Sequence, residues 1–282
     1  MSAQLLSGTE AATALLDALK PRIAKLDPKL VIVQVGDDPA SESYIKQKRK
    51  ACEAVGMRSE HLHLPTATTK EELFTAIEKL NKDQDVTGFI VQLPLPAHLA
   101  TLLPQILRAI EPMKDVDGFT AYNVGKTVLS KEFEHLPAAT PSGIIALLEH
   151  YGLGDVQGKD VVIVNHSNVV GKPLAAMFLN RNATVTVCHA FTKDLASYTK
   201  RADILVSAVG KAKLITKDMV KPGAVVIDVG ISRTEKGLVG DVDFDVVKEI
   251  ASAITPVPGG VGPMTVASLI RNCVRAKERQ ME

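Results

Sequence analysis

A lysine and a tyrosine one helical turn apart, a glutamine at the end of an apolar run and two aspartates spaced two apart could carry chemistry in this chain. On a helix beginning near Ser41, at 100° per residue, Ser41, Tyr44, Lys48, Ala51 and Val55 share an arc of about 80°, while Lys46, Arg49, Lys50 and Glu53 point away. Lys48 therefore faces inward. Such a lysine has two readings: its stem covers the core while its ammonium reaches water, or burial lowers its pKa from ~10.4 so that it moves protons near neutral pH. Tyr44 is placed to stack on or hydrogen-bond a flat substrate beside it. In G-F-I-V-Q-L-P-L-P (88–96), Gln92 is an amide that must find a partner, and two prolines stiffen the strand exit. In D-V-D-G-F (115–119), one carboxylate of Asp115 and Asp117 could accept from an amidine-like N–H pair, and either could cap the loop.

A second signal starts at Asp160–Val164, a strand-like run that passes through N-H-S-N-V-V-G-K-P-L-A into a helical pattern. A helix N-terminus reached through small residues offers free amides and a positive dipole end to an anion. The glycines of G-x-G-x-x-G are missing, because their positions fall on Asn165, Ser167 and Val170, with only Gly171 nearby. By itself the segment reads equally well as an ordinary strand-to-helix turn. The next strand ends in T-V-C-H-A-F-T (186–192), so Cys188, His189 and Ala190 stand where an NAD-selective site carries a carboxylate. A 2′-phosphate meets no fixed negative charge there, and His166, His189 and Lys193 are the groups available to it. The pattern favours NADP, with NAD as the alternative. Later runs end in S-A-V-G (207–210) and D-V-G-I (228–231), where Gly210 and Gly230, the latter followed by Ile231, let backbone approach a ligand.

These residues need elements to position them. Runs at Leu30–Val35, Gly88–Leu93, Asp160–Val164, Ala183–Cys188, Ile204–Ala208 and Ala224–Asp228 are too uniformly apolar for half-exposed antiparallel strands. With helical segments filling the intervals, they predict an α/β fold built on a mostly parallel sheet. The 282 residues suffice for two domains, and the break in rhythm between Pro112 and Pro141 marks the junction. Thr140 and Pro141 read as N-cap and first residue of a connecting helix. T-P-V-P-G-G-V-G-P-M-T (255–265) reads as irregular, followed by a terminal helix whose apolar face (Val266, Leu269, Ile270, Cys273, Val274) packs back on the first domain.

Composition excludes other classes. Thirty-three basic against 32 acidic residues give a net charge of +1, too little field to gather nucleic acid. Cys52, Cys188 and Cys273 lie far apart, and His61 and His63 lack a third ligand, so no metal site is expected. Val86–Leu107 is uncharged, yet Gln92, Pro94, Pro96 and Pro104 interrupt it as a membrane span. No secretory leader is visible in the first residues, and the expectation is a soluble cytoplasmic protein.

In order along the chain, V-G-D-D-P-A-S-E-S-Y-I-K-Q-K (35–48), V-Q-L-P-L-P (91–96), D-V-D-G-F (115–119), T-P-S-G (140–143), S-N-V-V-G-K-P (167–173) and P-V-P-G-G-V-G-P-M-T (256–265) carry a family likeness. Through them the chain resembles the bifunctional methylenetetrahydrofolate dehydrogenase/methenyltetrahydrofolate cyclohydrolase family over nearly its whole length. The resemblance implies a folate-binding catalytic domain (1–139 with 263–282), completed by the C-terminal helix, and a doubly wound Rossmann domain (140–262). A cleft holding folate and nicotinamide, and a homodimer, are implied with them. It further implies that Lys48 serves both activities, that Tyr44 stacks on the folate, that Gln92 hydrogen-bonds the lysine and that Asp117 anchors the pterin. Pro258, Gly259 and Gly260 would join the substrate site. Asn165, His166, Ser167, Gly171, Pro173, His189, Gly210 and Ile231 would line the cofactor site. The implied chemistry takes a hydride from 5,10-methylenetetrahydrofolate to NADP and hydrolyses the methenyl product to 10-formyltetrahydrofolate, a step of one-carbon metabolism that feeds purine biosynthesis. The chain departs from the family pattern at Asn165 (commonly Gly), His166 (often Arg), Ala190 (often Ser or Arg) and Ala139 (often Cys). Two other readings are a dehydrogenase of the same architecture acting on another small substrate, and a non-catalytic nucleotide-binding module.

Overall fold

The computed structural model describes residues 3–235 and 237–282. In chain order the strands are β1 (Gln4–Leu5), β2 (Lys29–Val35), β3 (Arg58–Leu64), β4 (Gly88–Val91), β5 (Asp160–Val164), β6 (Thr184–Cys188), β7 (Ile204–Ser207), β8 (Val225–Asp228), β9 (Ser232–Thr234), β10 (Gly237–Val239) and β11 (Ala253–Ile254). The chain forms two compact units.

The unit made of Ala14–Lys126, Glu134–Ala139 and Val266–Glu282 holds a three-stranded parallel sheet in the order β3-β2-β4, with Leu30 opposite Gly88. Alternation along β2 divides its core in two. Leu30 and Ile32 pack with Leu19, Ile23, Ile45, Cys52, Leu269, Ile270, Cys273 and Val274, so the terminal helix, Val261–Gln280, completes this core with the face expected of it. Val31, Val33 and Val35 pack with Leu73, Ile77, Phe89 and Ile106 on the other side. The Pro39–Ala54 helix starts where Asp38 accepts the Ser41 amide at 2.8 Å and Pro39 occupies its first turn.

The second unit, residues up to Thr13 with Thr127–Phe133 and Thr140–Thr265, carries an all-parallel six-stranded sheet, β1-β11-β8-β7-β5-β6, and an antiparallel β9-β10 hairpin. Its strand order reverses between β6-β5 and β7, the switch point of a Rossmann-type sheet. The α/β, doubly wound expectation holds.

Local expectations need correction. Between β7 and β8 the described chain forms a short 3-10 turn, Lys217–Met219, where a helix was expected, because Ile215 is committed to a β-bridge with Val242. The connecting helix begins at Ala139, whose amide donates to the Asp117 carbonyl, so Thr140 lies inside the helix; its hydroxyl accepts from Thr265 at 3.0 Å. The 255–265 segment is irregular only to Gly260, since Pro263 sits in the first turn of the terminal helix, where its missing N–H costs nothing. The uncharged stretch around 86–107 is divided among β4, a cis Leu93–Pro94 bond and two short helices, Ala97–Ala100 and Leu103–Ala109. Among the described residues no helix is long and apolar enough to cross a membrane.

Candidate active site

The first-unit constellation assembles on the Pro39–Ala54 helix, the end of β4 and the turn after Asp115. Lys48 Nζ donates to Gln92 Oε1 at 2.9 Å, and Gln92 Nε2 donates to the Leu93 carbonyl at 2.7 Å. Gln92 is thus held at both ends, its backbone amide also bonding the Val33 carbonyl at 2.8 Å. Burial lowers the pKa of Lys48, opposed by the charges of Asp117 and Cys52. Burial raises the Asp117 carboxyl above the usual carboxylate range; Lys48 pulls it down, and the charge of Asp115 adds to the rise. Tyr44, one turn before Lys48, is 41% exposed, a ring available to a ligand.

The two aspartates have separate tasks. Asp115 is buried and accepts from the amides of Gly118 (2.9 Å), Phe119 (3.2 Å) and Thr120 (2.7 Å) and from Asn123 Nδ2 (2.9 Å). It is the loop cap, which leaves Asp117 as the carboxylate coupled to Lys48. Gly118 makes the turn with φ +75°, and a Cβ there would overlap the backbone from Leu136 to Ala138. Asn272, on the terminal helix, donates to the Val116 and Pro137 carbonyls at 2.9 and 2.8 Å and so pins both sides of this turn. Sequence reasoning missed it; its signal is a polar residue beside the helix's apolar stripe.

Burial makes Lys48 give up its proton more readily than an ordinary lysine, and the Lys48–Gln92 bond fixes where it does so. Cys52 and Cys273 stay outside this chemistry, since burial pushes the Cys52 thiol up to about 12 and the Cys273 thiol well above its ordinary value. His61 and His63 stack at 5.6 Å, with Nε2 atoms on Gln34 Oε1 (2.9 Å) and the Gly36 carbonyl (3.1 Å). Among the described residues no group of three or more His, Cys, Asp or Glu could hold a metal ion.

In the other unit the loop after β5 corrects the expectation of free amides. Asn165 Oδ1 accepts the amides of Ser167 (2.8 Å) and Gly171 (3.0 Å) and the Ser167 hydroxyl (2.7 Å), while its Nδ2 reaches the Ala208 carbonyl across the switch point at 2.5 Å. The asparagine occupies the donors that a glycine fingerprint leaves to phosphate. Gly171 permits this contact, because a Cβ would overlap Asn165, and Pro173 is buried behind it. His166 and His189 meet with ring centroids 5.1 Å apart at the ends of β5 and β6. Gly210, at φ +75°, has open space where a Cβ would stand, and Ile231 is 42% exposed after β8. An open glycine cradle and ring N–H donors fit a phosphorylated dinucleotide. Pro258, after a cis bond from Val257, Gly259 at φ +95° and Gly260 lie in this same unit, where the Gly259 carbonyl accepts the Thr9 amide at 3.1 Å.

Two buried carboxylates missing from the sequence reading brace this sheet edge. Asp241 accepts the Ser207 hydroxyl (2.9 Å) and the amides of Val209 (2.6 Å) and Lys211 (2.8 Å). Asp228 accepts the amides of Gly230 (3.1 Å), Asp241 (2.9 Å) and Val242 (2.9 Å); burial, aided by the Asp241 charge, raises it to about 6. A Cβ on Gly230 would overlap Asp241, which explains that glycine through packing.

Two family models match: the catalytic domain of tetrahydrofolate dehydrogenase/cyclohydrolase over residues 6–117, and the NAD(P)-binding domain of the same family over residues 138–281. The bifunctional protein FolD of Geobacillus thermodenitrificans is 51% identical over 282 residues, 98% of each chain. The solved bifunctional FolD of Campylobacter jejuni matches with TM-score 0.93 and 45% identity over 99% of this chain and 100% of that one. The Trypanosoma brucei methylenetetrahydrofolate dehydrogenase-cyclohydrolase, solved with NADP and an inhibitor, matches with TM-score 0.94 and 35% identity over 100% and 99%.

Proposed function

The chain belongs to the tetrahydrofolate dehydrogenase/cyclohydrolase family, and from that premise we propose that it oxidises 5,10-methylenetetrahydrofolate with NADP and hydrolyses the resulting methenyl compound to 10-formyltetrahydrofolate. The observation that carries this reading is the 2.9 Å bond between Lys48 and Gln92, with Lys48 lowered by burial and coupled to Asp117.

NADP accepts the hydride when bound. The chain's residues bind, orient and move protons. Tyr44 holds the flat folate ring system against the helix, and Asp117 accepts from the pterin's amidine-like N–H groups. Loss of hydride from the methylene carbon leaves a cationic N–C–N bridge. Water then adds to that carbon; Lys48, oriented by Gln92, takes one proton of the water and returns it to the departing nitrogen as its C–N bond breaks, while the remaining hydroxyl proton leaves to solvent as the formyl C=O forms. A single amine thus serves both proton transfers, and the formyl group stays on the other nitrogen.

We assign the folate site to the unit bearing the three-stranded sheet. NADP goes to the unit bearing the six-stranded sheet, with Asn165, His166, Ser167, Gly171, Pro173, His189, Gly210 and Ile231 lining it. We read the protein as a cytoplasmic homodimer whose product supplies the formyl transfers of purine biosynthesis. Its net charge of +1 accords with small-molecule partners in place of nucleic acid or membrane. The direct test supplies 5,10-methylenetetrahydrofolate with NADP⁺ or NAD⁺ and follows reduced cofactor and methenyl-folate by absorbance. Turnover with NADP⁺ is expected; turnover with NAD⁺ alone would reverse the cofactor assignment, and none with either would overturn the function.

A further inference from the structure

Parallel strands are ordinarily joined through a helix, and between β7 and β8 the described chain has the short 3-10 turn Lys217–Met219 in its place. The backbone donors that a helix would satisfy internally are met by a segment distant in sequence. After β7 the chain runs beside residues 240–243, which follow β10. The Lys213 amide donates to the Gly240 carbonyl at 3.2 Å and the Ile215 amide to the Asp241 carbonyl at 2.9 Å, while the Asp243 amide donates back to the Ile215 carbonyl at 2.9 Å. Nearer β7 a side chain takes over. The Asp241 carboxylate accepts the Ser207 hydroxyl and the amides of Val209 and Lys211, so the loop 207–211 bends around it. Gly210, at φ +75°, makes the turn that this path requires.

The other end of the β9-β10 hairpin holds the same loop. Ser232, the first residue of β9, donates its hydroxyl to the Gly210 carbonyl at 3.2 Å. Asp228 ties the two ends together, accepting the amides of Asp241 and Val242 on one side and of Gly230 on the other. Asp241 is 0% exposed and forms no ion pair among the described residues, so its charge rests on loop donors. A buried carboxylate is a costly way to join two segments, and what it provides here is a fixed loop shape. The chain that emerges from this brace carries Gly210 in the loop and Ile231 directly before Ser232, both assigned above to the cofactor site.

On the reading of this unit as the NADP site, we infer that Asp241 and Ser232 are positioning residues of the dehydrogenase: they hold 207–211 in the shape that receives the dinucleotide, and they take no part in the hydrolysis. Asp241, fully buried, acts through the loop amides, and Ser232 acts through the Gly210 carbonyl. Hydrolysis of the methenyl compound consumes water and no dinucleotide, so a change confined to this loop separates the two activities. A change that loosened the whole protein would depress both.

Steady-state kinetics on the full-length protein test this, with cyclohydrolase measured on 5,10-methenyltetrahydrofolate in the absence of dinucleotide. Asp241→Asn sets an amide N–H₂ against one or more of the loop donors. It is expected to raise the KM for NADP⁺ at least about tenfold, with the KM for methylene-folate and the cyclohydrolase kcat/KM within about twofold of wild type. Ser232→Ala should raise the KM for NADP⁺ about threefold, and Ser232→Thr, which keeps the hydroxyl, should return it to the wild-type value. Equal loss of both activities in a folded Asp241→Asn, or a wild-type KM for NADP⁺ in Ser232→Ala, would overturn the inference while leaving the NADP site in place. If Asp241→Asn does not fold by far-UV circular dichroism, the two Ser232 variants decide, because that side chain lies at a partly exposed strand start. Absence of NADP⁺ turnover in the wild type would overturn the reading of the site itself.

Discussion

Lys48 concentrates the proposed chemistry in one amine, and removing it should separate catalysis from folding. Lys48→Met is expected to lower cyclohydrolase kcat by about 10²–10⁴-fold while far-UV circular dichroism stays unchanged, because the side chain stabilises a proton transfer more than it fills core. The rate profile should report its ionisation. Burial lowers Lys48, so cyclohydrolase kcat/KM should rise with pH through an apparent pKa below the usual lysine value. The Gln92 carbonyl accepts from Nζ and so favours the ammonium form. Gln92→Ala should therefore move the rising limb to lower pH, as a pH-rate series on both proteins would reveal. At this scale much was legible: the 100° arithmetic turned Lys48 inward, although Tyr44, placed on the same face, is 41% exposed, and Gln92 stood out as a lone amide in an apolar strand. The split between Asp115 and Asp117 was not legible, because both suit a loop and only folded geometry decides which one the amides reach.

Turns and strand ends hold these side chains, and two carboxylates control them. Asp115→Ala would strip four donors of their acceptor and is expected to cost about 3–5 kcal/mol in urea-induced unfolding. It should also raise the KM for folate, because Asp117 sits in the turn that Asp115 closes. Asp228 acts through pH. Its pKa rises from 3.8 to about 6 on folding, so its favourable contribution is complete below about pH 4 and is lost as pH rises through about 6. Asp228→Asn does not titrate. The unfolding free energy of the wild type minus that of the variant should therefore fall by about 2 kcal/mol between pH 4 and pH 7, measured by denaturant titration at each pH. Neither network announces itself in sequence, since an aspartate at a strand end reads the same whether it meets water or three backbone amides.

For the whole molecule, a ligand that binds only the native state stabilises it by mass action. NADP at 100 times its dissociation constant should raise the unfolding free energy by about 2.7 kcal/mol, and NAD at the same concentration should do less; thermal unfolding with each cofactor measures the difference. Size-exclusion chromatography with light scattering tests the homodimer, and a monomer mass would remove it. Uniformly apolar runs separated by helical periods already required a parallel α/β sheet, because strands buried on both faces need no polar alternation, and ordered motifs carried the family. Hydrophobic period is a local property, and so is the face on which Lys48 falls; the sequence by itself determines both. The fold alone decided that Asn165 consumes the phosphate-loop amides, that Asn272 reaches the turn beside Asp117 from the far end of the chain, and that His166 and His189 meet across two strands. Each depends on partners distant in sequence, and hydrogen-bond geometry between them exists only once the sheets have formed.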